Sequence, residues 1–155
     1  HEGNRQGIDQ VQFLISMNKG EALRALQTTA SGGELSRLML GLKTIFSRLQ
    51  GIETIIFDEI DTGVSGSVAF AIGKKMQQLS KDTQVFCVTH LSQVAACADH
   101  HFLVEKSQDD QGTTTAIREL SNEERVEQLA LIASDSTSEH ALSAARELLT
   151  KAQSK

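Results

Sequence analysis

A short apolar run that ends in two acidic residues places the tightest limit on how this chain can fold. Residues 54–58 (TIIFD) are mostly apolar up to the aspartate, a pattern typical of a strand buried on both faces of a parallel sheet. Apolar residues then recur at helical spacing over residues 67–80, where Val68, Ile72, Met76 and Leu79 fall on one side of the helix, and residues 84–89 (QVFCVT) form a second apolar run. A strand, a helix and a strand in this order predict a βαβ unit. We therefore predict an α/β fold in which helices flank a mostly parallel sheet.

Strands and helices are also predicted before and after this unit. Apolar periodicity predicts most of them, and a capping box at Ser121 and Glu124 marks the start of one helix. In chain order these elements are strand 11–16, turn 18–20, helix 33–50 ended by Gly51, helix 91–98, strand 101–106, turn 109–112, strand 113–120, a helix from residue 121 and a helix over 137–151. Because no linker, low-complexity stretch or internal repeat divides them, residues 1–155 are predicted to form one lobe.

The composition favours a cytoplasmic protein without a membrane span. Hydrophobic residues make up 39% of the chain, but no apolar run approaches the roughly 18 residues that a span needs. Cys87 and Cys97 lie in apolar segments and form no CxxC pair, so we expect two buried thiols in a reducing compartment. The net charge of −5 and the absence of Lys/Arg clusters argue against a main nucleic-acid surface in this chain.

Two acidic residues, Asp58 and Glu59, stand at the end of the first apolar strand. Ligands of open α/β sheets bind at the carboxyl ends of the strands. An acid at that point can hold the Mg²⁺ that bridges nucleotide phosphates, and an adjacent acid can polarise an attacking water. Taken alone, the pattern favours two solvated acids, because such short motifs often occur by chance.

A glycine pair makes the start of the helix predicted over residues 33–50 a second candidate site. Ser31 and Glu34 have the spacing of a capping box. Capping does not account for Gly32 and Gly33, since each weakens a helix by about 1 kcal/mol relative to alanine. Glycines let a ligand approach the backbone closely, and helix N-terminal amides bind phosphate. The segment therefore favours an anion site, to which Ser31 adds a hydroxyl donor.

Two further segments adjoin the predicted strand ends. His90 follows the second apolar strand, which is expected to neighbour the first, so its side chain could reach the same ligand as Asp58. Residues 61–66 (DTGVSG) are too rich in glycine for an ordinary helix entry and predict a tight loop. A lone histidine is more often structural, and the loop alone does not identify a function.

Two other kinds of site are less well supported. A metal cluster could be formed by Cys97, Asp99, His100 and His101. Adjacent histidines in a strand point to opposite faces, however, and no second pair of ligands occurs, so a structural metal is not expected. A hydrolase triad of Ser31, His90 and Asp58 is also disfavoured, because the GxSxG motif is absent.

Four segments taken together resemble the RecN family of SMC-like repair ATPases. They are ASGGELSR (residues 30–37), IFDEIDTGVSG (56–66), THLSQVAACAD (89–99) and RVEQLALI (125–132). The DTGVSG sequence after the two acids is the most specific part, whereas SGGE alone indicates only an ABC-type protein. The resemblance covers nearly the whole chain and implies the C-terminal part of an ABC-type ATPase head.

The resemblance implies that ATP and Mg²⁺ are the cofactors. Asp58 matches the Walker B aspartate that positions Mg²⁺ and is the implied metal ligand. Glu59 matches the glutamate that orients or deprotonates the attacking water, and His90 matches the switch histidine near the γ-phosphate. Glu59 and His90 are therefore the implied catalytic residues.

A second set of residues is implied to act across a dimer of heads. Ser31, Gly32, Gly33 and Glu34 match the signature motif, which contacts ATP held by the opposite subunit. Asp61 matches the acid of the D-loop, which links the two active sites. The implied partners are a second copy of the head and, through the full-length protein, DNA in the nucleoid; no membrane is implied.

One motif of the family is absent from these 155 residues. No GxxxxGK[ST] occurs, since Val68 replaces the first glycine and Lys75 the Ser/Thr around Gly73-Lys74. In SMC-like proteins this Walker A motif lies far upstream, beyond a long coiled coil. The resemblance thus implies the N-terminal Walker A half of the same head as a further partner. The chain by itself is predicted to be inactive, because the phosphate-cradling amides and lysine are missing.

The predicted function is that of an ATPase-head segment in DNA double-strand-break repair and recombination, as the resemblance implies. One alternative is the head of another SMC-like or RecF-like chromosome-maintenance ATPase. The other is a non-catalytic dimerisation lobe whose signature motif only senses nucleotide. Glu59 argues against the second alternative, because a sensor does not need a water-activating acid.

Overall fold

The computed structural model describes Gly7 and residues 11–16, 19–109 and 112–154. In chain order the elements of these residues are β1 (Leu14–Ile15), β2 (Arg24–Ala25), α1 (Leu26–Thr29), α2 (Gly32–Gln50), β3 (Thr54–Phe57), α3 (Gly66–Leu79), β4 (Gln84–Cys87), α4 (Ser92–Ala95), β5 (Phe102–Asp109), β6 (Gly112–Glu119), α5 (Asn122–Ser134) and α6 (Glu139–Gln153). The predicted α/β class is confirmed. None of the described helices is long and apolar enough to cross a membrane.

The predicted βαβ unit is confirmed as β3, α3 and β4. The two strands pair in parallel, with Thr54 opposite Gln84 and Phe57 opposite Cys87. The amide of Val88 donates to the Phe57 carbonyl at 2.9 Å, which continues the pairing past the end of β4. Because the strands run in the same direction, the residues that follow them lie at the same edge of the pair.

The two faces of the β3–β4 pair differ, and the prediction that both would be buried is wrong. The covered face carries Ile55, Phe57, Val85 and Cys87. The other face carries Ile56, Phe86 and Val88, which are 69%, 45% and 62% exposed. Both faces are apolar, as the unbroken apolar runs require, but the described residues supply a covering layer for only one of them.

Parallel pairing is confined to β3 and β4 among the described residues, whereas the sequence suggested a mostly parallel sheet. β1 pairs antiparallel with β2, so the strand predicted over residues 11–16 is reduced to two residues. β5 pairs antiparallel with β6, from Phe102 opposite Glu119 to Asp109 opposite Gly112. The connection between them is too short for the crossover that a parallel pair requires. The predicted turn at 109–112 thus joins a hairpin, although residues 110 and 111 lie outside the described residues, as does residue 18 of the turn at 18–20.

The helices begin and end at the local signals in the sequence. α2 starts after Ser31 and stops before Gly51, and α5 starts after Ser121, each start with a complete capping box. α4 is shorter than the helix predicted over residues 91–98, and α6 begins two residues later than predicted, after its N-cap Ser138.

Two apolar clusters make up the core. The first comprises Leu40, Phe57, Ile60, Ala69, Ile72, Met76, Leu79 and Val94. The second comprises Ala95, Ala96, Cys97, Leu129, Ala130, Ala145 and Ala152. Val68, which helical spacing places on the same side of α3 as Ile72 and Met76, is exposed, because Ala69 takes the inward position. The first cluster lies behind the parallel strands, and the second joins α4, α5 and α6.

The C-terminal helix is held on α3 by two lysines. Lys74 Nζ on α3 donates to the carbonyls of Ala152 and Ser154 at 2.9 and 3.0 Å, at the end of α6. The Lys151 ammonium lies 4.9 Å from the centre of the Phe70 ring, within cation–π range. A lysine that donates to the last carbonyls of a helix satisfies groups that have no partner within that helix.

Candidate functional site

The carboxyl ends of β3 and β4 bring the two acids and His90 to one edge of the parallel pair. Asp58 and Glu59 follow β3 directly, while Thr89 and His90 follow β4 after one further residue. The side chains of Asp58, Glu59 and His90 are exposed. Groups at this edge can reach a ligand that lies beyond the strand ends, as in open α/β sheets.

The buried side chain of Asp61 connects the residues that follow β3 with those that follow β4. Its side chain is 1% exposed. Oδ2 accepts a short hydrogen bond from the Thr89 hydroxyl and another from the His90 amide at 3.2 Å, and Oδ1 lies 3.6 Å from His90 Nδ1. The Thr89 oxygen accepts in turn from the Leu91 amide at 3.1 Å. Because a buried carboxylate is costly without hydrogen bonds, these contacts hold the loop after β3 against the residues after β4.

Helix α2 begins at the second predicted site with a reciprocal capping box. The Glu34 amide donates to Ser31 Oγ at 3.3 Å, and the Ser31 amide donates to Glu34 Oε2 at 2.8 Å. The hydrogen bond from the Ser31 amide is the main cause that lowers the pKa of the Glu34 carboxyl below its usual range. The box leaves the amides of Gly32 and Gly33 without a helical partner, as at any helix N-terminus.

Glycine occurs at positions 32 and 33 for different reasons. A Cβ at Gly33 would lie 3.0 Å from the Thr62 carbonyl oxygen and 3.1 Å from Arg37 Nη1, closer than side chains normally allow. Among the residues that the structure describes, a Cβ at Gly32 would meet only Glu59 Oε2, at an ordinary distance of 3.9 Å. Packing inside the chain therefore explains Gly33. Gly32 has no such neighbour, so close approach by a ligand is still its best explanation.

Left-handed backbone shapes the loop over residues 58–66. Gly63 and Gly66 have φ of 72° and 55°, which explains why this segment is rich in glycine. Glu59 has φ of 57°, a conformation that costs a residue with a side chain about 1–2 kcal/mol. The Thr62 amide donates to the Glu59 carbonyl at 3.2 Å and closes a turn. Backbone strain thus falls on the residue that the resemblance implies to be catalytic.

Arg37 belongs to this cluster, although the sequence reasoning did not single it out. Its Nη1 donates to the carbonyl oxygens of Ile60 and Thr62 at 3.3 and 3.0 Å. The available signal was a cation one turn after Glu34 in the signature segment. Its partners are main-chain carbonyls of a distant loop, however, and no side-chain pattern identifies them.

The cysteines play no part in this site as nucleophiles. Burial raises the pKa of the half-buried Cys87 thiol to about 12, and the charges of Asp61 and Asp58 act in the same direction. Burial also raises the pKa of Cys97, which is fully buried as predicted. A thiol of raised pKa stays protonated at neutral pH and is a poor nucleophile, so both residues act in packing.

The remaining candidate ligands do not converge. Across the described residues, no group of three or more His, Cys, Asp or Glu side chains is placed to hold a metal ion. His100 Nδ1 lies 2.6 Å from Glu119 Oε1 at the surface. His101 is half-buried, and this burial, together with the charge of Arg125, lowers its pKa.

Curated relatives match almost the whole chain. The DNA repair protein RecN of Bacillus subtilis is 51% identical over 148 residues, which are 95% of this chain and 26% of that protein. RecN of Treponema pallidum is 46% identical over 92% of this chain and 25% of its own length. RecN of Vibrio cholerae is 42% identical over 94% of this chain and 26% of its own length. The chain thus spans about a quarter of the length of these relatives, within their C-terminal portion. No family model matches it.

The fold is similar to that of solved SMC head domains. The Smc head domain with a coiled coil and joint from Pyrococcus yayanosii aligns with a TM-score of 0.56 and 23% identity, over 71% of this chain and 20% of that one. A structure from work on ATP-driven dimerisation and DNA-stimulated activation of SMC ATPases aligns with a TM-score of 0.52 and 22% identity, over 74% of this chain and 68% of that one. At these identities the likeness establishes the fold alone.

Sequence, geometry and fold agree. The loop after the acidic strand end contacts both the start of α2 and the residues that follow β4. Identities of 42–51% extend over more than nine-tenths of the chain. The chain therefore belongs to the RecN family, as a segment with the fold of an SMC-type head.

Proposed function

We propose that this chain is the part of an ATPase head that carries the signature, Walker B, D-loop and histidine motifs. The observation that carries the proposal is the buried carboxylate of Asp61. It holds the acidic loop after β3 against Thr89 and His90 after β4. Groups suited to phosphate, to a cation and to an attacking water are thereby gathered at one strand edge, with ATP as the proposed substrate.

Asp58 is proposed to bind Mg²⁺. Its exposed carboxylate directly follows a parallel strand. Mg²⁺ in nucleotide sites takes one or two carboxylates, with phosphate oxygens and water as its other ligands. A single exposed aspartate fits that requirement, and a cluster of several protein ligands is not needed. When bound, the ion would neutralise charge on the phosphates.

Glu59 is proposed to orient or deprotonate the attacking water, and His90 to contact the γ-phosphate. Glu59 adjoins Asp58 and is exposed at the same edge. Asp61 positions His90 mainly through its amide at 3.2 Å, because the 3.6 Å between Oδ1 and Nδ1 is longer than a hydrogen bond. The imidazole is therefore held close to the acids while its ring stays exposed.

The signature segment is proposed to contact ATP held by a second copy of the head. The Ser31 hydroxyl proton and the amides of Gly32 and Gly33 are the donors available to phosphate oxygens. Glu34 would support them through the capping box. Asp61, itself buried, would anchor the D-loop, whose mostly exposed residues 62–66 are the part able to meet the second head.

The uncovered face of β3 and β4 is proposed to be the contact with the Walker A half of the same head. Ile56, Phe86 and Val88 form an apolar surface on strands whose other face is already packed. Exposed apolar patches of this kind mark interaction surfaces. The missing phosphate-cradling motif would then come from the part of the protein that covers this face.

DNA repair in the cytoplasm is proposed as the process, on the strength of the RecN relatives. DNA contact is proposed to lie mainly outside this chain, because its net charge of −5 is unfavourable for binding the phosphate backbone. ATP turnover by the full-length protein would be coupled to that contact through the dimer of heads.

The test is Glu59→Gln in the full-length protein. Glutamine keeps the size of the side chain but cannot take a proton, so turnover should fall by about 10²- to 10⁴-fold. ATP binding should be unchanged. Steady-state hydrolysis with and without DNA measures the first quantity, and isothermal titration with Mg-ATP measures the second.

Glu53→Gln is the matched control, because Glu53 is an exposed acid just before β3 and away from the strand end. It should hydrolyse ATP like the wild type. Undiminished turnover in Glu59→Gln would show that Glu59 is not the catalytic acid. A wild-type protein that binds ATP without hydrolysing it, with or without DNA, would favour the nucleotide-sensing lobe.

A further inference from the structure

A guanidinium nitrogen of helix α2 donates hydrogen bonds to the acidic loop. Arg37 Nη1 donates to two main-chain carbonyls, those of Ile60 at 3.3 Å and Thr62 at 3.0 Å. The residue between them, Asp61, is engaged elsewhere through its side chain. The Arg37 guanidinium thus binds the carbonyls on both sides of Asp61, the residue that holds the ends of β3 and β4 together.

The loop is fixed on both of its sides at this point. Ile60 is fully buried in the first apolar cluster, and the Asp61 carboxylate is buried against Thr89 and His90. Arg37, itself half-buried, approaches from the helix. Its charge also acts on Glu34, the carboxylate that closes the capping box at Ser31. The start of the signature helix and the loop are therefore connected through Arg37.

The contact between Arg37 and the loop also bears on the conformation of Glu59, the proposed catalytic acid. Its backbone is left-handed, with φ of 57°, and such a conformation persists only where the surroundings determine it. Arg37 binds the carbonyls one and three residues after Glu59, and the Thr62 amide donates back to the Glu59 carbonyl at 3.2 Å. Release of these carbonyls would let the turn relax and move the Glu59 carboxylate.

We propose that Arg37 is a positioning residue: it fixes the carboxylate of Glu59 relative to the signature segment Ser31–Gly33 of the same chain. The expected effect on ATP hydrolysis rests on the proposed function, whereas the contact between Arg37 and the loop does not. In a dimer of heads, the signature segment serves the ATP of one site and Glu59 that of the other. Arg37 therefore links the two sites through one chain.

The experiment compares Arg37→Met, Arg37→Lys and the control Arg146→Met in the full-length protein. Methionine keeps the apolar stem of arginine and removes its donors. Misplacement of a catalytic group by about 1 Å can cost up to roughly 100-fold, so kcat should fall at least about tenfold in Arg37→Met. KM and the ATP dissociation constant should stay within about twofold, because Ile60 and Thr62, whose carbonyls Arg37 binds, are not proposed ATP contacts.

Arg37→Lys separates positioning from a general loss of structure. Both hydrogen bonds come from one nitrogen, and an ammonium group carries enough protons to make both. Lysine should therefore restore a substantial part of the lost turnover, although its shorter reach keeps it below the wild type. Arg146 is an exposed arginine on α6, away from the loop, so Arg146→Met should behave like the wild type.

Hydrogen exchange followed by mass spectrometry tests the contact without reference to ATP. Peptides that cover residues 58–66 should exchange faster in Arg37→Met than in Arg146→Met, and peptides from α5 should not. Unchanged exchange of residues 58–66 would overturn the proposal. Turnover equal to that of Arg146→Met, or a loss of ATP affinity in place of kcat, would overturn it as well.

Two further outcomes are decisive. If the wild-type protein does not hydrolyse ATP, the proposed function fails, and the exchange result alone decides whether Arg37 holds the loop. If Arg37→Met does not fold, Arg37→Gln replaces it, since glutamine is too short to reach both carbonyls. Equal turnover in Arg37→Gln and Arg146→Met would then count against the proposal.

Discussion

Helices α2 and α5 begin in the same way, but only one of them carries a site. In both, the serine amide donates to a glutamate at 2.8 Å and the glutamate amide donates to the serine hydroxyl oxygen at 3.3 Å. Between serine and glutamate, α2 has Gly32 and Gly33, whereas α5 has two ordinary residues, Asn122 and Glu123. A complete capping box thus needs no glycine. The glycines of α2 have other causes, which are the close packing of Thr62 at Gly33 and the open backbone at Gly32.

The surroundings of the two helix starts differ as much as their sequences. Arg37 and the loop after β3 lie against the start of α2, close to the exposed acids. At the start of α5, Glu124 is bound by Arg118 from the hairpin at 2.6 Å, an interaction between exposed side chains. Equal local structure therefore accompanies a proposed ligand site in one case and simple helix initiation in the other. Four pairs of substitutions test that difference.

The largest difference is expected from Ser31→Arg and Ser121→Arg in the full-length protein. If Ser31 faces nucleotide on the opposite head, a bulky cation there should block closure and lower hydrolysis by about 10²-fold or more. Each head should still bind ATP by itself. Ser121→Arg should lose only its cap, at about 1 kcal/mol, and keep its turnover. Hydrolysis and ATP titration are the measurements, and equal turnover in the two variants would contradict the assignment across the dimer.

A smaller effect on stability separates two glycines of the same helix. Gly33→Ala places a Cβ 3.0 Å from the Thr62 carbonyl oxygen, and such overpacking costs about 1–3 kcal/mol, more than the gain in helix propensity. In the described part of the chain, no neighbouring atom lies within 4 Å of such a Cβ at Gly41, in the middle of α2, so Gly41→Ala should stabilise the fold by up to about 1 kcal/mol. Urea denaturation of this chain gives both values. Opposite signs are expected, and stabilisation by Gly33→Ala would rule out the close contact with the loop.

The smallest effect should be the same at both helices. Ser31→Ala and Ser121→Ala each remove the hydroxyl that caps an N3 amide, so each should cost about 1 kcal/mol in urea denaturation at pH 7. Their matching geometry is the reason to expect matching values. A cost at Ser31 well above that at Ser121 would show that the two caps are not equivalent in the folded chain.

The pH dependence of the caps follows from the two glutamates. The pKa values of Glu34 and Glu124 are both lowered from 4.5, chiefly by the serine amides that they accept from. A lowered folded pKa contributes stability that is present above 4.5 and is lost as the pH falls through the folded value. Denaturation between neutral and acidic pH should therefore show a loss of stability from both boxes. Glu34→Gln and Glu124→Gln should each remove part of it.

Most of the elements could be predicted because their signals are local. The capping boxes at Ser31 and Ser121 lie within four residues, and the βαβ unit follows from apolar runs and one helical repeat. The neighbouring placement of Asp58 and His90 also followed, because parallel strands end at a common edge. Helical spacing alone put Val68 on the side of α3 that carries Ile72, but the small Ala69 beside it takes the inward position and Val68 is exposed.

The sequence by itself determined the class of fold and the order of the motifs, because periodicity and capping depend on neighbouring residues, and its identity to relatives indicated the family. Only the tertiary structure decided which face of β3 and β4 is covered, why Gly33 must be glycine, and what Asp61 and Arg37 bind. Those contacts join residues 23 to 29 positions apart, and most of them end on main-chain atoms. Every residue offers the same carbonyl and amide, so only the folded path of the chain selects which of them an arginine or an aspartate meets.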